Sequence, residues 1–496
     1  MAKIKLSMKR KLHLESIYFI IFLGFTSCGD LSYLPSKSSN DRPNIIVVLC
    51  DDLGYSDVGF NGAKDIITPE LDHLANNGVM FSAAYVAHPF CGPSRAGLMT
   101  GRYPHTFGSQ FNLPQNSGEL LNTGIPLEET FISKVLQNSG YYTGIIGKWH
   151  LGAVPEYHPL KRGFDDFYGF LGGGHRYFPS QYQPIYEKQK AAGNKIINDY
   201  LKPLEHNYKE VRETEYITDA LSREASRFVD EASKKENPFF LYLAYNAPHS
   251  PLEAKAEDLA IFDFIKDKKR KTYAAMVYAV DRGVGKLVDA LERNDQLDNT
   301  LIIFLSDNGG KLSLGATNFP LQKGKGSTQE GGYRVPMFFH WPKGIEGGKT
   351  FEHPISAIDL YPTFARLAKA EIPKAKILHG KDIWDDLSEG NEPHKNEIIY
   401  ALRHREGYSD VGARKGDWKI LKTNQNNWKL FNIKNDISEQ NDLSNQYPDQ
   451  MEEMILDVKN WTKSHIEPKW FDPDSLKYLW ETHEMDTFKT IFDAEK

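Results

Sequence analysis

Two β-rich apolar runs in opposite halves of the chain, Asn44 to Cys50 and Thr300 to Leu305, are each cut off at once by hard-oxygen side chains. Asp51-Asp52 ends the first, and Ser306-Asp307-Asn308-Gly309-Gly310 ends the second. A strand apolar on both faces needs a sheet covered on both sides, which is the environment of a parallel sheet between helices. The rest of the first 395 residues keeps that alternation. Thr68-Pro69 opens a helical stretch with Leu71, Leu74 and Val79 on its apolar face, Thr68 as N-cap and Pro69 at the first helical position. Helices are predicted over Thr130 to Ser139, Tyr273 to Leu291 and Ser356 to Ala368, and strands over Tyr141 to Ile146, Pro238 to Tyr245 and Val335 to Trp341. The fold class is therefore α/β, a large doubly wound mixed sheet flanked by helices. Gln181 to Arg212 and Glu253 to Lys271, polar or charge-dense, read as surface excursions. From about Glu397 the texture changes to short strands (Ile398 to Leu402, Asp417 to Leu421, Trp428 to Phe431) and one amphipathic helix, Met451 to Thr462. This predicts a smaller C-terminal antiparallel sheet plus helix, with a catalytic domain over 43–395 and a subdomain over 396–496.

Composition narrows the function classes. With 496 residues, 40% hydrophobic and 12% aromatic, the chain can bury a large core. Sixty basic against 66 acidic residues, a net charge of −6, favours neither a disordered polyelectrolyte nor a nucleic-acid partner. Three cysteines exclude a disulfide-stapled scaffold and a cysteine-rich zinc module.

The amino terminus reads as an address. Lys3, Lys5, Lys9, Arg10 and Lys11 precede a nine-residue apolar run, Ile17 to Phe25, that ends at Thr26-Ser27-Cys28. This is the three-part pattern of an export signal over residues 1–27. At about 1.5 Å rise per residue the run is too short for a hydrocarbon core of about 30 Å. Phe25-Thr26-Ser27-Cys28 resembles the lipobox of bacterial lipoproteins, with Phe where Leu is usual, and implies lipidation at Cys28. A plain secretory signal with an incidental Cys is the alternative. Residues 28–42, including the polar Ser36 to Asp41, read as a tether. The expected location is periplasm or cell surface, on the outer membrane of a Gram-negative bacterium, with the lipid as the sole membrane contact. Cleavage lowers the net charge by four, and of the cysteines leaves only Cys50 and Cys91 in the folded part. Their spacing does not forbid a disulfide, but both fall in contexts that argue against one.

The chemistry-bearing residues cluster at strand ends, where open α/β sheets bind ligands. Asp51 and Asp52 repel one another unless a cation neutralises them, and oxygen ligands select Ca²⁺ or Mg²⁺. A capping Asp pair explains the first cluster alone, and an Asp-Asn-Gly-Gly turn the second. Together, Asp51, Asp52, Asp307 and Asn308 favour one shared ion. Cys91-Gly92-Pro93-Ser94-Arg95 precedes a helical run ended by Gly101, which places Cys91 at a helix N-terminus suited to an anion. As a plain thiol it is a redox cysteine or a buried hydrophobe. Lys148 and His150 follow one predicted strand and His249 another, and Lys325 lies in a glycine-flanked loop. Each alone is more commonly a surface lysine or a bonded histidine.

Cys91-Gly-Pro-Ser-Arg95 resembles the signature of type I, formylglycine-dependent sulfatases of the alkaline-phosphatase superfamily. The resemblance extends over Asp51-Asp52, Gly101-Arg-Tyr-Pro104, Gly147-Lys-Trp-His-Leu-Gly152, Pro248-His249, Ser306-Asp-Asn-Gly309 and Gly324-Lys-Gly-Ser-Thr-Gln-Glu-Gly-Gly332. It implies that Cys91 is converted to formylglycine by a formylglycine-generating or sulfatase-maturating enzyme. It also implies that Asp51, Asp52, Asp307, Asn308 and modified Cys91 hold one Ca²⁺ per chain. One hydroxyl of the hydrated aldehyde, orientated by Arg95, then attacks sulfur, while Lys148 and Lys325 bind the sulfate oxygens and His249 protonates the leaving oxygen. His150 deprotonates the second hydroxyl, which expels sulfate and restores the aldehyde. Gly92 departs from the small polar residue usual in the family, but the residues read for conversion, Cys, Pro and Arg, are all present.

The substrate expected is a sulfated carbohydrate, an algal ulvan or galactan or a glycosaminoglycan. His175-Arg176-Tyr177, after Gly172-Gly173-Gly174, could supply a sugar subsite through His175 and Arg176; a glycine-rich turn with a solvated Arg is the alternative. Two other functions compete. One is a phosphodiesterase or phosphonate monoester hydrolase of the same superfamily, and the other is a glycan-binding lipoprotein whose Cys91 stays unmodified.

Overall fold

A computed structural model describes residues 42–423 and 426–493. The expected signal segment, Cys28 and all of the tether but its last residue lie outside these residues.

The main sheet contains β1 (Asn44–Cys50), β2 (Val79–Phe81), β4 (Tyr142–Lys148), β5 (Asp166–Phe170), β6 (Leu204–His206), β7 (Lys209–Val211), β8 (Phe239–Ala244), β9 (Thr300–Ser306), β10 (Met337–His340) and β11 (Lys349–Phe351). Its ten strands run in the order β11-β2-β10-β9-β1-β8-β4-β5-β6-β7. β3 (Ala84–Tyr85) and β12 (Ile355–Ser356) form a separate parallel pair. The five central strands, β9-β1-β8-β4-β5, are parallel, and β10 and β6 join them antiparallel on either side. The sheet is thus mixed.

Alternation along β1 shows why it must be covered on both faces. Ile45, Val47 and Leu49 enter one apolar layer, and Ile46, Val48 and Cys50 enter the other. Burying each of these aliphatic side chains contributes about 1.5–3 kcal/mol relative to leaving it in water. The first layer is closed by helices Cys91–Thr100, Ile132–Asn138 and Leu360–Leu367, and the second by Pro69–Asn76, Ile217–Ala232 and Lys268–Arg293.

Three local expectations are corrected. The helix after Thr68 ends at Asn76, and Val79 belongs to β2, because Asn77-Gly78 breaks the helical run. Thr68 stands at the N-cap position without capping: its Oγ1 donates to Asp72 Oδ1 at 2.9 Å and accepts from the Gly59 amide at 2.8 Å. The stretch 181–212 is not merely an excursion, since it holds most of helix Pro179–Ala191 and supplies edge strands β6 and β7.

The second sheet is antiparallel, in the order β13 (Ile399–His404), β14 (Ser409–Lys415), β15 (Trp418–Lys422), β16 (Lys429–Asn432). Helix Pro448–Thr462 packs Met454 and Val458 against Leu402, Val411, Ile420 and Leu430. β14 escapes sequence reading because its flanking positions Asp410 and Arg414 are charged yet buried.

A buried ionic network joins this sheet to the short helix Glu330–Tyr333 and to β3. Lys419 Nζ on β15 lies 2.9 Å from Glu330 Oε1 and 2.9 Å from Glu439 Oε1. Glu330 Oε2 in turn meets Arg334 at 3.0 Å and accepts from the Tyr85 hydroxyl at 2.6 Å. Burial disfavours ionisation of Glu330, but Lys419, Arg334 and Arg414 outweigh it and hold the carboxyl down at about 2. Removing one partner of such a set strands buried charge. Lys419→Met is expected to cost about 3–5 kcal/mol in urea unfolding, and adding Glu330→Gln to recover part of that loss; a Lys419→Met protein as stable as the parent would refute the network's role.

Candidate functional site

Four adjacent parallel strands, β9-β1-β8-β4, deliver the site from their carboxyl ends. Register sets the alignment: Cys50 pairs with Ser306, and Ala244 pairs with both Leu49 and Gly147. Asp51 and Asp52 therefore emerge beside Asp307 and Asn308, with Lys148 and His150 on the far side of the loop that carries His249. The main chain locks this arrangement, since the Asp307 amide donates to Cys50 O at 3.0 Å and the Asp51 amide to Ala247 O at 3.1 Å. Asp52 and His150 both adopt left-handed backbone, at φ 66° and 62°, a conformation that L-residues hold at a cost and that recurs at functional sites. Gly309 is required by close approach, because a Cβ there would lie 1.8 Å from Gly331 O.

Helix Cys91–Thr100 begins at Cys91, every residue of it is buried, and Gly101 at φ 66° closes it. Its first turn faces the strand ends. Lys325 Nζ stands 3.1 Å from Cys91 Sγ and 2.6 Å from Asp52 Oδ1. Lys148 Nζ stands 2.6 Å from Asp51 Oδ2, and the Arg95 guanidinium binds Asp307 Oδ2 through Nε at 2.9 Å and Nη2 at 2.8 Å. Each buried carboxylate thus has its own cation. Cys50 and Cys91 are both free thiols.

Burial pushes the Cys91 thiol up to about 12, with Lys148 and Lys325 opposing in part, so the plain thiol is protonated and weakly nucleophilic at neutral pH. Burial disfavours ionisation of Asp51, but Lys148, His249 and Arg95 outweigh it and hold the carboxyl well below the usual range. Burial raises Asp307 to about 6, helped by Asp51 and resisted by Arg95. Both histidines are depressed by burial, His150 also by Lys148 and Arg95. Their tautomers follow from their neighbours. His150 Nε2 reaches Leu113 O at 3.2 Å and so carries the proton, leaving a buried Nδ1 without a partner. His249 Nδ1 reaches Ser250 O at 2.8 Å, leaving Nε2 3.7 Å from Asp52 Oδ2.

Asp51 Oδ1, Asp52 Oδ2 and Asn308 Oδ1 are buried without a hydrogen-bond partner among the described residues. Three orphaned oxygens at one place are costly unless a cation satisfies them, and a hard ion such as Ca²⁺ fits that donor type. Ligand-capable atoms of Asp51, Asp52, Cys91 and His249 lie within 4.8 Å of one another. The expected ligand Asp307 lies outside this group, its Oδ2 taken by Arg95 and its Oδ1 by the Asp52 amide at 3.3 Å. His249, expected as a proton donor, joins it.

The candidate sugar contacts are placed differently from expectation. His175 is buried, with Nδ1 2.6 Å from Arg176 O and Nε2 2.7 Å from Lys202 O, so its ring belongs to the scaffold. The Tyr177 hydroxyl donates to Asn246 O and His249 O at 2.8 Å and pins the His249 loop. Arg176 closes on Glu253 at 2.6 Å. Sequence reading missed Asn112, whose Oδ1 accepts from the Gly92 amide at 2.9 Å; a lone Asn in a loop carries no motif.

Comparison with known proteins agrees with this geometry. Residues 43–370 match the Sulfatase family model, and 325–466 match that of the N-sulphoglucosamine sulphohydrolase C-terminal region. The uncharacterized sulfatase YdeN of Escherichia coli (strain K12) is 36% identical over 425 residues, covering 75% of this chain and 71% of its own length. N-acetylgalactosamine-6-sulfatase of Mus musculus is 32% identical over 402 residues, 78% of this chain and 74% of its own. The crystal structure of Ps i-CgsB in complex with k-i-k-neocarrahexaose superposes with a TM-score of 0.89 at 60% identity, covering 90% of this chain and 99% of that one.

The orphaned oxygens make a direct prediction. Ca²⁺ added to metal-stripped protein at a hundred times its dissociation constant is expected to stabilise the fold by about 2.7 kcal/mol, read as a rise in the calorimetric midpoint. Asn308→Leu should shrink that rise, and a parent protein indifferent to Ca²⁺ would refute the assignment.

Proposed function

Because the chain belongs to the formylglycine-dependent sulfatase family of the alkaline-phosphatase superfamily, and is thus a sulfuric ester hydrolase, we propose that it removes sulfate from a carbohydrate, a sulfated galactan or its oligosaccharides. The galactan choice is supported by the 60% identity to a protein crystallised with k-i-k-neocarrahexaose. The observation that carries the catalytic reading is the convergence on residue 91. A thiol raised to about 12 is inert, yet it sits at a helix N-terminus under Lys325 at 3.1 Å, beside two carboxylates.

Conversion of Cys91 to formylglycine would supply, as its hydrate, a hydroxyl nucleophile where Sγ now stands. Asp51, Asp52 and Asn308 would hold Ca²⁺, with Asp307 adjoining, and the ion would supply positive charge against the sulfate oxygens. Lys148 and Lys325 bind the nonbridging oxygens, so that negative charge is screened from the nucleophile. Arg95, held by Asp307, keeps residue 91 and the strand ends in one orientation. His249 is assigned to protonating the leaving oxygen through Nε2, a step that uses its imidazolium form, since in the neutral ring the proton stays on Nδ1 against Ser250 O. His150 is assigned to proton removal, through the unpartnered Nδ1 that the Leu113 carbonyl leaves free. We further propose export with lipid attachment at Cys28, maturation by a formylglycine-generating or sulfatase-maturating enzyme, and a division of the chain into a catalytic part, 43–395, and a part that walls the crevice, 396–496.

Protein produced with a maturating enzyme is expected to release sulfate from carrageenan oligosaccharides, and mass spectrometry of the peptide spanning residue 91 to show the aldehyde. Cys91→Ala should lower turnover on the order of 10³-fold or more with an unchanged circular dichroism spectrum. Preferential turnover of an aryl phosphodiester, or full activity with an intact thiol, would overturn the proposal.

A further inference from the structure

Two cavities meet at strand β13. The first, about 360 Å³, lies among His88, Phe90, Gln110, Phe111 and His404, and the second, about 490 Å³, lies among Lys311, Lys323, Lys325 and Gly326. Arg403, Arg405 and Tyr408 line both, so the two adjoin across these side chains as a cleft in two parts, the second lined also by Lys325. Each volume falls in the range of small-ligand pockets, about 300–1,000 Å³.

Arg403 touches the chain neighbours of both residues that meet at the reaction centre. Its Nη1 donates to Gly326 O at 2.5 Å, next to Lys325, and its guanidinium lies 4.5 Å over the ring of Phe90, next to Cys91. Arg405 Nη2 shares the same carbonyl at 3.3 Å and is paired with Asp410. Among the described residues Arg403 makes no ion pair, and neither do the exposed Lys311 and Lys323. Burial and the like charge of Arg405 depress Arg403 to about 10 against the opposing charge of Asp410, its cross-strand neighbour, a direction that a bound anion would reverse. The second cavity is lined by five cations, Lys311, Lys323, Lys325, Arg403 and Arg405, against one carboxylate, Asp410. An arginine fork without a counter-ion beside such a wall suits an oxyanion.

The first cavity has a different chemistry. Phe90 and Phe111 offer apolar surface, and three residues at 1–3% exposure keep a buried polar atom without a partner: His88 Nε2, Gln110 Oε1 and His404 Nε2. His88 Nδ1 accepts from the Phe90 amide at 3.2 Å, so its Nε2 carries a proton to donate. Ser409 Oγ, 2.7 Å from His404 Nδ1, donates onward to Thr490, so His404 Nδ1 holds the proton and Nε2 can only accept. Apolar rings beside a polar lining match the C–H faces and hydroxyls of a sugar. Glu406 and Asp472 also line this cavity, which places an anionic group in the second cavity and the sugar ring in the first.

We propose that this cleft is a second subsite that takes the sugar adjoining the one that loses its sulfate, and that Arg403 binds an anionic group, a sulfate ester or a carboxylate, carried on that adjoining sugar. The proposal rests on the sulfatase reading, which it deepens by making a doubly anionic oligosaccharide the preferred substrate.

The test uses the full, matured enzyme and three galactan disaccharides that share one scissile sulfate and differ on the adjoining ring: a second sulfate, a uronate carboxylate, or neither. The parent should favour an anionic partner in kcat/KM, and the better of the two identifies the group. In Arg403→Gln that preference should fall about tenfold, the loss of one charged hydrogen-bonding partner, mainly through KM. Were Arg403 merely a support for the Lys325 loop, all three substrates would lose equally, and that result overturns the subsite. Lys323→Asn, which tolerates the left-handed backbone at φ 63°, should lower the same preference by a smaller factor. If Arg403→Gln does not fold, an unchanged preference in Lys323→Asn overturns the subsite. No sulfate release by the parent from any of the three would instead refute the parent reading.

Discussion

The constraint on which the structure depends is charge compensation at the carboxyl ends of β1 and β9. Parallel register brings Asp51, Asp52 and Asp307 into one buried space, where mutual repulsion and desolvation oppose ionisation of all three. Lys148, Lys325 and Arg95 answer them one for one. The three cations come from β4, from a loop after β9 and from the helix that starts at Cys91, so the requirement for neutrality ties these three segments to the ends of β1 and β9. Orphaned oxygens on Asp51, Asp52 and Asn308 leave buried acceptors that a further positive charge would satisfy.

The C-terminal sheet belongs to the same economy. Its Lys419, with Glu439 from the segment after β16, encloses Glu330, and Arg403 and Arg405 hold the carbonyl of Gly326. Both contacts fall just after Lys325 on the loop that carries it toward residue 91. The loop's own main chain is tied as well, the Lys325 amide donating to Gly310 O at 3.2 Å and the Gly326 amide to Pro89 O at 2.8 Å. The second sheet thus helps to fix the reach of Lys325.

Much of the site was legible in the sequence for a local reason. Asp51-Asp52 and Asp307-Asn308 each follow a run too apolar to be anything but a covered strand, and Lys148, His150 and His249 follow two more such strands. The position of ligand sites beyond strand ends turns that linear pattern into a spatial one. What escaped lacked a periodic signal. β14 hides behind buried charges, Asn112 and Phe90 sit in loops, and Arg403 is one arginine among many until a neighbouring carbonyl and ring define it. The reverse error befell His175-Arg176-Tyr177. Aromatic and cationic residues after three glycines resemble a surface subsite, but the His and Tyr satisfy backbone carbonyls in the interior.

By itself, the order of residues determined the layered α/β architecture, the placing of hard-oxygen side chains at two strand ends and the singular position of Cys91, because hydrophobic periodicity and abrupt strand ends are properties of neighbours along the chain. Tertiary structure alone decided which cation answers which carboxylate, that Arg95 holds Asp307, that His249 comes within reach of Asp51, Asp52 and Cys91, and that Arg403 of β13 lies between the Gly326 carbonyl and the Phe90 ring. Those outcomes depend on distances of a few ångströms between segments far apart in sequence, and electrostatic and hydrogen-bond energies change decisively over such distances.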